Sequence, residues 1–258
     1  MEGYEGLSDL LSNSIKYGLS NKRSILIWGA VYLVTMLLFF AGYIGGIFLL
    51  IMDEKSMIAW VLILISFIPV LILSVFLAGY VRRCLSGLFA GNDTVPDISD
   101  LAGMAVDGLK LSAIYIEAVV LMFIVFIPSI VFILLSYRYE EAIIGYCLLY
   151  PIELILMILV LGLNVVQWAI FADTGSLMSG LNPVKAARLI AGDLRYVAVA
   201  GIAALILYLI LSVVSTVLTL LVITLLALPF AIMPFYFALI YILARFYQHA
   251  KGKLPAAG

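Results

Sequence analysis

The sequence predicts an all-α membrane protein with six transmembrane helices, and three observations carry that prediction. Apolar residues make up 66% of the 258 and charged residues 11%, with a mean hydropathy of +1.25. Soluble domains run near about 45–50% and 25%, so too little polar surface exists to face water. The uncharged stretches are long enough to span a bilayer, and the cations fall on alternate connections between them.

A spanning helix needs ~20 apolar residues to cross ~30 Å of hydrocarbon. Four runs meet this need: Ser24–Ile51, Met57–Val81, Leu111–Leu135 and Ala142–Ala172, the last two with one glutamate each. The first is far longer than a signal-peptide core, and no A-x-A site follows it, so it reads as an uncleaved anchor. A final stretch, Val197–Leu243, carries no charge. As one helix it would be ~70 Å long, over twice the membrane thickness, so it must turn back between Thr219 and Pro229. Thr224 and Pro229 suit such a break.

Orientation follows from the cations. With the N-terminus inside, the inner segments hold Lys16, Lys22, Arg23, Arg82, Arg83, Lys110, Lys185, Arg188, Arg195, Arg245, Lys251 and Lys253, twelve of the fourteen. The outer loops hold only Lys55 and Arg138, beside Asp53, Glu54, Glu140 and Glu141. Both termini are therefore expected on the cytoplasmic side of the plasma membrane. Aromatics mark the two interfaces: Trp60, Tyr137, Tyr139 and Tyr146 outside; Trp28, Tyr80, Trp168, Tyr196 and Tyr247 inside.

Short amphipathic segments precede the odd-numbered spans. In the first, Leu7, Leu10, Leu11, Ile15 and Leu19 share a face opposite Asp9, Ser12, Asn13 and Lys16, with Ser8 as cap and Gly18 at the end. In the second, Ser99-Asp100 opens a face of Leu101, Met104, Ala105 and Leu109, with Gly108 near its end. In the third, Asn182 caps, Pro183 takes the first helical position, and Val184, Ala187, Ile190, Ala191 and Leu194 share a face before Gly192. One reading is a single membrane domain over 1–258 made of three parallel units, 7–85, 98–173 and 181–250, each an interfacial helix plus a two-helix hairpin. The other is that inner loops of this length produce such a pattern in any six-helix chain.

The most distinctive residues follow the second span: Gly79-Tyr80-x-Arg82-Arg83, Gly91-Asn92-Asp93, Pro96-Asp97 and Asp107-Gly108-x-Lys110. This stretch resembles an uncharacterised, largely archaeal family of polytopic membrane proteins, domain of unknown function 4013. The resemblance implies a multi-spanning membrane domain and little about activity. Asn92 stands where the family's pattern has Glu or Asp after the glycine.

Two carboxylates fall inside spans. Glu117 and Glu153 lie near mid-depth on neighbouring helices, where an ionised acid costs at least ~2.5 kcal/mol. They must be protonated, paired or facing a polar cavity. With Asn164 and Gln167 further along, they form a candidate polar intramembrane site; packing bonds to neighbouring polar groups are the plainer use. Arg82 and Arg83 at an inner helix end suit lipid phosphates, or simple positive-inside anchoring. Gly42-x-x-x-Gly46 permits close helix approach, within this chain or between copies. Pro69, Pro128, Pro151, Pro229 and Pro234 sit inside apolar stretches.

Other chemistries lack their residues. Cys84 and Cys147 fall on opposite faces and form no CxxC, so neither a disulfide nor a zinc site is expected. The single His249 gives no axial pair for haem. No H-E-x-x-H, G-x-S-x-G or phosphate-binding glycine loop occurs, no aspartate lies within a span, and no basic stretch interleaves with aromatics as nucleic-acid binding needs. No cofactor or metal is expected. Three functions compete: a scaffold or complex subunit whose partners are membrane lipids, other membrane proteins or a second copy; a small transporter with its site at Glu117 and Glu153; and a lipid-modifying enzyme. Small size and only two buried acids favour the first, and the third comes last.

Overall fold

A computed structural model describes residues 6–136, 142–220 and 226–253. Its helices are α1 (Leu7–Gly18), α2 (Lys22–Met52), α3 (Met57–Phe89), α4 (Leu101–Ser136), α5 (Ala142–Thr174), the single turn α6 (Leu177–Gly180), α7 (Pro183–Gly192), α8 (Leu194–Leu220) and α9 (Leu228–Lys253). The six longest, α2 to α5, α8 and α9, are long and apolar enough to cross a membrane. The return between the last two spans falls where the charge-free stretch requires it. Thr224, like Tyr137, Arg138, Tyr139, Glu140 and Glu141, lies outside the described residues.

The spans form three antiparallel hairpins, α2–α3, α4–α5 and α8–α9. The second helices, α3, α5 and α9, pack on one another, and α2, α4 and α8 flank them. The core gathers at the end that carries both termini, called the base here. There Tyr80, Cys84 and Leu85 of α3, Ala169 and Ile170 of α5, and Phe237, Tyr241 and Ala244 of α9 are buried together with Leu10 and Tyr17 of α1. Away from the base the apolar side chains of α2, α3 and α4 are largely exposed, as lipid-facing helices are. Trp28, Tyr80, Tyr196 and Tyr247, expected as an interfacial belt, are instead buried in this core. Each ring serves more by filling space between helices than by floating at a lipid surface.

The ion pairs among the described residues lie at the base: Arg82–Asp107, Arg83–Asp100 (2.7 Å), Arg245–Asp93 (3.3 Å) and Lys251–Asp173 (2.7 Å), with His249 Nε2 2.8 Å from the Asp193 carboxylate beside them. His249 belongs to α9, stacks 4.4 Å from Tyr196 and faces Asp193.

Two of the three amphipathic segments are separate helices. α1 starts from Gly6 rather than Ser8, and it lies across α9, where Gly18 meets the backbone of Pro234 and Ala238 with no room for a Cβ. Its buried face is Leu10, Ser14 and Tyr17; Ile15 and Leu19, expected on that face, are exposed and edge a shallow pocket beside Pro234 and Ala238 of α9. In α7 Asn182 caps through its Oδ1 (Lys185 N–H donates, 2.9 Å), with Pro183 in the first turn. Ala186 and Leu189 are buried there, while Val184 and Leu194 are exposed. Each helix thus docks on the protein through large apolar side chains, Leu10 and Tyr17 of α1 and Leu189 of α7, with Leu7, Leu11 and Ile190 packed beside them.

The middle segment is different. Ser99–Leu109 is not an interfacial helix: from Leu101 it forms the first turns of one continuous α4. The cause is local. Asn21 and Asp193 stop a base helix and start a span by accepting the Ser24 N–H (3.0 Å) and the Tyr196 N–H (3.2 Å). Asp193 stands eleven residues after the cap Asn182; eleven residues after the cap Asp100 stands Leu111, 0% exposed and without a side-chain acceptor. Nothing there competes with the helical hydrogen bonds, so the helix runs on.

Candidate functional site

The intramembrane polar residues divide into two separate contacts between α4 and α5. In one, Glu153 is 3% exposed and accepts from the hydroxyl of Ser129 and from its backbone N–H (3.1 Å). Pro128 explains why that N–H is available: its ring disturbs the ladder of α4 at this turn. In the other, the Gln167 amide donates to Glu117 (3.1 Å) and the Asn164 amide donates to the Ile114 carbonyl (3.0 Å). The two carboxylates do not face each other. Ser129 lies twelve residues beyond Glu117, ~18 Å along the helix, so the four-residue site expected from sequence is two ties in one helix pair. The space beside Ser129, about 470 Å³, is walled by Met122, Phe126, Ile133, Tyr146 and their apolar neighbours.

The residues of the family-like motif meet in one place, where α3 leaves the bundle and α4 enters it. Gly79 and Gly108 sit at the crossing of the two helices. A Cβ on Gly79 would run into the Met104 carbonyl, and one on Gly108 into the Val75 carbonyl. Gly108 therefore marks a backbone contact, not a helix end. Gly91 has φ +85°, and the Asn92 N–H reaches the Gly87 carbonyl (2.9 Å) while the Gly91 N–H reaches that of Leu88 (3.1 Å). This is a left-handed glycine stop on α3. Tyr80 donates its hydroxyl to the Pro96 carbonyl.

Arg82 and Arg83 are both occupied by protein groups. Arg82 pairs with Asp107 and lies 5.4 Å over the Phe171 ring. Arg83 holds the Ser99 and Asp100 carbonyls as well as the Asp100 carboxylate. These two residues, expected to suit lipid phosphates, are held by acids and carbonyls of the chain itself. The Gly103 N–H and then Arg83 hold the Asp100 carboxyl below the usual carboxylate range, while Asp100 itself adopts φ +45°, a conformation aspartate tolerates better than most.

Several ties were not foreseen from sequence. The segment 90–100 is stitched to the start of α2: Asn21 donates to the Val95 carbonyl (3.0 Å) and to Asp97 (2.9 Å), Ser24 to the Pro96 carbonyl (2.9 Å), and the Val95 N–H to Ser20 (2.9 Å). Asp173 receives Tyr247 (2.8 Å) and Lys251. The proline at 128 and the asparagine before Lys22 were the available signals for Ser129 and Asn21. Gly42 and Gly46 pack within the chain, on Ser66 and on Ile63 with Ala59. Cys84 is buried and Cys147 exposed. Among the described residues no group of three or more His, Cys, Asp or Glu is placed to hold a metal ion.

Residues 61–222 match a family described as Protein of unknown function (DUF4013). Comparison with the curated proteins and with the solved structures finds no match. The matched segment contains the whole motif cluster and the α4–α5 ties.

Proposed function

We propose that this chain, which belongs to the family described as Protein of unknown function (DUF4013), is a non-catalytic membrane scaffold or complex subunit that binds lipid and partner membrane proteins. The observation that carries the reading is how the polar residues within the spans are used. A transporter site at Glu117, Glu153, Asn164 and Gln167 needs these groups on one continuous polar path. Instead each is engaged across the α4–α5 contact, at two heights. The base, in turn, is locked by ion pairs and side-chain ties, which suits a platform more than a gate.

The reading places both termini on the cytoplasmic side of the plasma membrane, supported by the twelve-to-two division of cations. It treats 1–258 as one domain of three pseudo-equivalent units, 7–85, 98–173 and 181–250. The support for that is positional. Gly18 and Gly108 both meet the backbone of residues four apart on the second helix of another unit, Pro234 with Ala238 and Val75 with Gly79. Ser14, Met104 and Ala186, each four residues before Gly18, Gly108 and Ile190, are all fully buried.

Vesicles holding the purified chain test the function. An imposed proton or sodium gradient should decay no faster than in empty vesicles, for the wild type and for Glu117→Gln and Glu153→Gln alike. Decay that the wild type accelerates and Glu153→Gln abolishes would refute the scaffold in favour of the transporter. Single cysteines at Lys55, Asn92 and Lys185 test orientation: in intact cells only the first should react with an impermeant reagent.

A further inference from the structure

A groove lies between α2 and α3 at their base halves, and its origin can be traced to three contacts. Gly42 and Gly46 bring the outer half of α2 against Ser66, Ile63 and Ala59 of α3. Nearer the base, Gly29 brings α2 against the Phe230 ring of α9 instead. One helix drawn to two partners in this way leaves a wedge on its α3 side, and Pro69 sits at the head of that wedge. The result is a slot of about 550 Å³ lined by Ile27, Val31, Thr35, Pro69, Ile72 and Phe76, with Trp28 at its wall. Ile98, on the segment stitched to α2, and Leu101, at the start of α4, floor it at the base.

Its length and its mouth point to one occupant. From Ile27 to Thr35 the slot runs eight residues along α2, ~12 Å, close to the depth of one leaflet of a ~30 Å hydrocarbon core. One helical turn beyond Ile27 on the same stripe stands Arg23, with Lys22 beside it. Among the described residues neither makes an ion pair or side-chain hydrogen bond, unlike Arg82 and Arg83. Arg23 is exposed.

We infer that this slot holds one acyl chain of an anionic phospholipid whose phosphate pairs with Arg23. The chain lies along Ile27, Val31, Ile72 and Phe76, and the floor at Ile98 and Leu101 sets the height of the headgroup. This inference rests on the lipid-binding part of the proposed function and names the lipid class and its seat.

Trp28 provides the probe. In full-length chain carrying Trp60→Phe and Trp168→Phe, only Trp28 emits, because the protein has three tryptophans. The chain is placed in phosphatidylcholine nanodiscs containing a few mole per cent of phosphatidylglycerol with brominated acyl chains. Quenching should saturate with the brominated phosphatidylglycerol and be displaced by the unbrominated form. Brominated phosphatidylcholine should quench only in proportion to its amount. Arg23→Gln should weaken the preference for the anionic lipid about fivefold, and Val31→Phe, which fills the slot, should abolish saturable quenching. Intact folding of each variant is checked by size exclusion and helical circular dichroism; the wild-type comparison of the two lipids stands even if Val31→Phe misfolds. Quenching by phosphatidylglycerol that is merely proportional would overturn the inference. So would saturable quenching indifferent to both substitutions, and the scaffold reading would survive either result because it is judged by the gradient assay.

Discussion

Replacing Asp107 by Asn tests whether Arg82 is a tie within the chain or a grip on lipid. The pair is largely but not wholly buried, with side chains 29% and 13% exposed. Breaking a fully buried pair by removing one partner costs about 3–5 kcal/mol, and partial access of water brings the expectation here to ~2 kcal/mol. The Phe171 ring beneath the guanidinium retains some of the cation's stabilisation, ~1 kcal/mol at most at such a site. Asp107→Asn and Arg82→Gln should therefore each cost ~2 kcal/mol. The double variant should cost about as much as either alone, a coupling near the size of each single effect. The assay is unfolding of the purified chain in uncharged detergent, compared with the same cycle after adding anionic lipid. Costs that simply add would refute the pairing. So would an Arg82→Gln effect that appears only with anionic lipid while Asp107→Asn is silent, which is the pattern of a phosphate contact.

Glu153→Gln should be nearly neutral, because the amide oxygen can still accept from the Ser129 N–H; Glu153→Leu should cost ~1–2 kcal/mol by stranding that donor, read in the same unfolding assay. Gly79→Val and Gly108→Val should each prevent a stable fold, since the neighbour at the crossing is backbone and cannot retreat, whereas Gly192→Ala, with open space around it, should be silent or mildly stabilising in helicity. Asp100 has its carboxyl pKa lowered by the Gly103 N–H and Arg83, so its contribution is present above the unfolded-state value of about 3.9 and is lost as pH falls through the lower folded value. The difference in melting temperature between wild type and Asp100→Asn should be constant from neutral pH to about 5 and shrink below about 4; a difference that persists unchanged in acid would exclude the carboxylate as its source.

Much of the architecture was legible without coordinates because the bilayer imposes a one-dimensional rule. Every backbone polar group in hydrocarbon must be bonded within its own helix, so a run of uncharged residues long enough to span is already a structural element. That rule located α2, α3, α5 and the α8–α9 return, and the Asn182-Pro183 cap gave the start of α7. It also made Glu117 and Glu153 stand out, since acids at that depth need a reason.

What those acids do was decided by the tertiary structure alone. Two helices in a hairpin fix which residues share a face only once their rotation and offset are set by packing, and here that packing seats Glu153 on Ser129 and Glu117 on Gln167 rather than on each other. The arginines show the same limit: charge at a helix end predicts a cation near the interface, but only the fold brings Ser99 and Asp100 of the folded-back loop and Asp107 of α4 onto it. Gly108 looked like a stop because glycine often is one; only the crossing with α3 shows that it is there to let two backbones touch. Composition and charge, summed along the chain, determined that this protein lives in a membrane and where it crosses. The close contacts that give its polar residues their work depend on distances between segments far apart in sequence, and those belong to the fold.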